Sequence, residues 1–116
     1  MNIIEKEFNP RQLEILGDVI YHATGGLGLG SWTWGENAQK IPLKTNPYQI
    51  IKDKFFSYLA GNKISAPRET WLDFLEAYNT ARQKIGEYEM QTLTGYEWSK
   101  TEALEKEMLD AIKKGE

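Results

Sequence analysis

The sequence predicts a mainly α-helical protein: a small four-helix domain with a glycine- and tryptophan-rich hairpin or loop between helices 1 and 2. Two observations carry this expectation. Apolar residues recur at three- and four-residue spacing over most of the chain, and residues that cap helix ends precede those runs. One stretch differs, residues 24–35 (TGGLGLGSWTWG), which hold five of the ten glycines and two of the four tryptophans. With 116 residues, the chain fits a single domain spanning 1–116 and is long enough to bury a core without staples.

The first helix is expected over 10–23. Asn9 can accept bonds from free N–H groups, Pro10 suits the first helical position, and Leu13, Leu16, Val19, Ile20 and Ala23 follow at helical spacing. Gly25 falls just beyond its end. Asn46-Pro47 repeats the signature ahead of Ile50, Ile51, Phe55, Tyr58 and Leu59, with Gly61-Asn62 expected to stop that second helix. Ser65-Ala66-Pro67 is read as opening a third helix whose ridge is Trp71, Leu75, Tyr78, Arg82 and Ile85, running on to Met90 across Gly86. Two capping boxes compete for the fourth, Thr94–Glu97 and Ser99–Glu102, before Leu104, Met108, Ala111 and Ile112. Residues 2–8 are expected to form a small strand pairing with the glycine-rich insert.

Composition narrows the chemistry. The absence of cysteine excludes disulfides, thiolate metal sites and cysteine nucleophiles, and fits a reducing compartment. Glu5, Lys6 and Glu7 interrupt the start of the chain, so no signal-peptide hydrophobic region is expected, and no apolar run reaches membrane-spanning length. A cytoplasmic protein without a membrane partner is the expectation.

Glycine N–H groups can cradle phosphate, but here the spacing fails both common fingerprints. Serine stands at position 31 where the dinucleotide pattern wants glycine or alanine, and no lysine follows until Lys40. The run Tyr21-His22-Ala23-Thr24 is similar to the tyrosine-histidine-glycine-threonine motif of ADP-ribosyltransferases. It lacks the glycine and lies on a predicted helix rather than a strand, so nothing is carried over from that family. His22, the only histidine, has no acid or nucleophile arrayed with it and is expected to contact the last carbonyls of its helix. Carboxylate pairs such as Glu102/Glu105 and Glu87/Glu89 read as solvated helix faces. No catalytic residue, metal site or cofactor is expected.

Charge is unevenly distributed beneath a net value of −3. Residues 38–68 carry six basic side chains against the single acid Asp53, whereas residues 69–116 carry eleven acids and six bases. Candidate binding residues are therefore Lys40, Lys44, Lys52 and Lys54 together with Trp32 and Trp34, which share one side of the insert by alternation. The leading expectation is a non-catalytic protein that docks on another macromolecule, most simply a protein, as adaptor or inhibitor. Phage-encoded inhibitors of host machinery are of this general type. The alternative is nucleic-acid or nucleotide binding through 38–68 and the tryptophan pair, against which the isoelectric point of about 5.3 speaks.

Overall fold

The computed structural model describes residues 2–23 and 47–115. Over these the chain is mainly helical, with a small three-stranded sheet. In order come β1 (Ile3–Glu7), α1 (Pro10–Ala23), α2 (Pro47–Phe56), β2 (Leu59–Ala60), β3 (Lys63–Pro67), α3 (Arg68–Ile85), α4 (Glu87–Thr94) and α5 (Trp98–Lys114). The described residues thus form five helices where the sequence predicted four. The glycine/tryptophan insert lies outside them.

α1 begins as expected, and its cap is stronger than expected. The Gln12 amide N–H donates to Asn9 Oδ1 (2.8 Å) while the Asn9 amide N–H donates to Gln12 Oε1 (2.9 Å), a reciprocal box that satisfies two orphan donors.

α2 ends at Phe56, not at Gly61-Asn62. Those two residues instead turn the hairpin of β2 and β3, with Gly61 at φ +64. Ser65-Ala66-Pro67 therefore belongs to a strand. Ile64 and Ala66 alternate into the core while Lys63 and Ser65 face out, the two-residue period of a half-buried strand. The predicted strand at the start of the chain exists as β1, which among the described residues pairs with β3, antiparallel, with Ile4 opposite Ala66 and Lys6 opposite Ile64. Its expected pairing with the insert lies outside the described residues. Sheet order is β1-β3-β2.

The long third helix breaks at Gly86, whose φ of 83° and ψ of 157° are open essentially to glycine alone. Neither predicted capping box is used. Thr94 Oγ1 donates to Met90 O and accepts from the Tyr96 amide, closing the end of α4, and Glu97 precedes α5 without a side-chain cap bond.

α3 runs through the middle, touching α1, α2, α4, α5, β1 and β3. Its aromatic side chains build the core. Phe55 stacks on Phe74 (3.9 Å between centroids) and meets Trp71 edge-on (5.1 Å), while Phe8 and Tyr78 extend the column at either end. The Trp71 indole N–H donates to the Ile4 carbonyl (2.9 Å), tying the first turn of α3 to β1.

Candidate functional site

Two polar constellations stand out, and they differ in kind. The first is sealed between α3 and α5. Arg82, on the core ridge of α3, is 2% exposed. Its guanidinium donates to Thr101 Oγ1 (3.1 Å) and to Glu105, and lies 4.2 Å from the centroid of the Trp98 ring. Asn79 donates to both Glu105 oxygens, and the Tyr78 hydroxyl donates to the Thr101 carbonyl (2.9 Å). Burial raises the Tyr78 hydroxyl well above its ordinary value, keeping it a neutral donor. The expectation that Glu105 lies on a solvated face is corrected here: it is the counter-charge of a buried arginine. Placing a charge on a core stripe demands a buried partner, and that was the signal available in the sequence. The cluster's bonds are internal, and its chemistry is that of a clamp.

The second constellation is open. A groove of about 520 Å³ runs between α1 and α2, with Leu13, Gly17 and Phe56 as its apolar floor. Glu14, Asp18, Tyr21, Lys52 and Asp53 form the rim. Neighbouring elements hold that rim in place. Gly95 takes a left-handed conformation (φ 82°, ψ 2°) and ends α4, which turns Tyr96 back onto α1. The Tyr96 hydroxyl donates to Asp18 Oδ2 (2.6 Å), and the Arg11 guanidinium lies over the Tyr96 ring (4.7 Å). Burial, and then the bond to the Asp18 carboxylate, push the Tyr96 pKa up to about 12. Across the groove the Lys52 ammonium sits 5.7 Å from the centroid of the Tyr21 ring.

Gly17 lies in the middle of α1. A glycine inside a helix costs about 1 kcal/mol relative to alanine, so packing or function normally explains one. Packing does not explain this one: a Cβ at position 17 would meet only the Phe56 ring, at 3.9 Å, an ordinary contact. What the missing side chain does is leave the floor of the groove open.

Of the residues predicted to bind, Lys52 lies on the groove rim. Lys54, two residues along, is exposed on another face of α2, and its carbonyl accepts from Ser57 Oγ (2.6 Å). Trp32, Trp34, Lys40 and Lys44 fall outside the described residues. The basic segment does not present an unopposed cationic surface where it is described. Lys52 shares its rim with three carboxylates, and Lys63 lies 3.7 Å from Glu5. His22 packs edge-on against Tyr21 (5.8 Å), and its buried Nδ1 has no hydrogen-bond partner among the described residues, so the expected bond to the last carbonyls is not made there.

Among the described residues, no group of three or more His, Asp or Glu is placed to hold a metal ion, and no helix is long and apolar enough to cross a membrane. No protein-family model, curated protein or solved structure matches the chain.

Proposed function

We propose that the protein is a non-catalytic docking module that grips a partner protein in the α1/α2 groove and acts as an adaptor or inhibitor. The observation that carries this is the groove itself: an apolar floor left open by a glycine that packing does not require, inside a charged rim. An apolar centre with a polar surround is the anatomy of protein-binding hot spots. Three rim carboxylates, set against the Lys52 ammonium and the Arg11 guanidinium 3.5 Å from Glu14, leave the rim acidic and favour a partner segment that brings basic residues around an apolar anchor. The same balance speaks against a phosphate backbone as the ligand.

Gly17→Leu tests this, because it fills the floor from a helix position where a Cβ meets only the Phe56 ring, at 3.9 Å. A photo-crosslinking residue in place of Glu14 should form a protein adduct in extract of the source cell. Adding Gly17→Leu should abolish that adduct while thermal stability stays at or above the parent value. An adduct that persists in Gly17→Leu would overturn the groove. Binding to short nucleic acids that weakens steeply with salt would instead establish the alternative reading.

A further inference from the structure

A second surface lies on the opposite side of the sheet from β2. The two flanking ladder bonds, from the Arg68 amide to Asn2 O (2.9 Å) and from the Phe8 amide to Asn62 O (2.8 Å), fix which backbone groups face β3. Antiparallel pairs alternate between bonded and non-bonded positions, so Ile4 and Lys6 turn their N–H and C=O groups toward β3. Those of Ile3, Glu5 and Glu7 point away from it, and among the described residues nothing bonds to them. Along this edge runs a cleft of about 550 Å³, lined by Ile3–Lys6 of β1 and by Glu107, Asp110, Ala111 and Lys114 on one ridge of α5. No residue of β3 lines it, which places it on the unpaired side of β1. At the other edge of the sheet, β2 is only two residues long.

We infer that the edge of β1 turned away from β3 receives an extended segment of a partner protein, basic at alternate positions, as a fourth strand of the sheet. This rests on reading the protein as a docking module and gives it a second contact of defined chemistry. Backbone groups supply affinity in such strand addition, and side-chain register supplies selectivity. Here the selective element is charge. On the outer face stand Glu7 and Glu5, the latter 3.7 Å from Lys63 and accepting from Ser65 Oγ (3.1 Å), and Glu107 and Asp110 stand in the cleft. Lys6 is held by Glu107 at 3.2 Å, which leaves Lys114 as the other cation lining the cleft.

The same charges oppose a second copy of this chain in two of the antiparallel registers it could take. Full antiparallel overlap of two β1 strands sets Glu5 against Glu5. Sliding one strand so that Glu5 meets Glu7 also sets Lys6 against Lys6, and like charges directly opposite destabilise a pair. Charged edges commonly block self-association, and this one stays open to a strand of opposite sign.

The probes are two synthetic heptapeptides, one alternating valine with lysine and one alternating valine with glutamate, added to the full chain. Amide hydrogen exchange is read by NMR. The lysine peptide should slow exchange at Ile3, Glu5 and Glu7 by about tenfold or more at saturation, and the glutamate peptide should not. In the Glu5→Lys/Glu7→Lys variant the preference should reverse. Should that variant not fold, the contrast between the two peptides on the parent chain still decides. Three results overturn the inference: no protection by the lysine peptide, equal protection by both, or protection that grows with protein concentration when no peptide is present. Gly17→Leu should bind the lysine peptide like the parent, so failure of this edge and failure of the groove are told apart.

Discussion

Arg82 shows how one residue on a core stripe commits a second helix. Its position on the ridge of Trp71, Tyr78 and Ile85 carries the guanidinium between α3 and α5, where Thr101, Glu105 and the Trp98 ring receive it. Removing one member of a buried pair leaves the other uncompensated. Arg82→Met should therefore cost about 3 kcal/mol of unfolding free energy, measured by urea titration. Glu105→Gln strands the more deeply buried charge, since the Arg82 side chain is 3% exposed against 26% for Glu105, so it should cost at least as much. A much smaller loss in Glu105→Gln, which leaves Arg82 on the Trp98 ring, would mean that packing and not charge holds the two helices together. The ridge was legible in the sequence as a periodic stripe. The identity of the partner was not, because Thr101 and Glu105 lie one helix away and spacing carries no information about which side chains meet across helices.

At the scale of elements, two glycines behave in opposite ways. Gly86 separates α3 from α4 in a backbone conformation that other residues rarely adopt, and a Cβ there would meet nothing within 4 Å. The penalty of Gly86→Ala is thus conformational and should be about 1–3 kcal/mol, read as a lower urea midpoint. A gain in stability would show that α3 and α4 can fuse into one helix without loss. Gly17 sits in ordinary helix, and its replacement meets no such barrier. Composition alone ranks the two together, which is why the sequence reading ran a helix straight through Gly86. The hairpin escaped for a related reason. Pro67 does stand at the N-cap of α3, but it also closes β3, opposite Ile3 at a position whose N–H the ladder does not require. The strand at the start of the chain was legible, whereas its partner, some sixty residues on, was not. α1, with its asparagine cap, proline and apolar stripe all in agreement, was read correctly from end to end.

For the molecule as a whole, both described openings are net acidic at their rims. Net charge and local charge therefore act in the same direction, and under the proposed function they would steer a basic partner toward either surface. Association should weaken as ionic strength rises. The fold also carries a signature at alkaline pH. Tyr96 titrates near 10 in an unfolded chain and near 12 in the folded one, so folding holds its proton. Burial shifts Tyr78 in the same direction. A group whose folded pKa is raised contributes fully below its unfolded value and loses that contribution as pH rises toward the folded one. Unfolding free energy should thus fall between about pH 10 and 12, and Tyr96→Phe should fall less steeply than the parent over that window. Identical slopes would show that Tyr96 plays no part in it. Of the two openings, the sequence offered Lys52 alone. The groove exists because α2 packs back along α1, and the cleft because α5 returns to β1; neither approach follows from local periodicity.

The bond from the Trp71 indole to the Ile4 carbonyl makes this tryptophan a built-in optical gauge. Its ring belongs to the aromatic column, while its N–H senses a strand 67 residues earlier in the chain. In a variant retaining Trp71 as its sole tryptophan, indole emission would follow the release of β1 from α3 separately from the melting of the helices. The sheet's attachment would then be visible without a label.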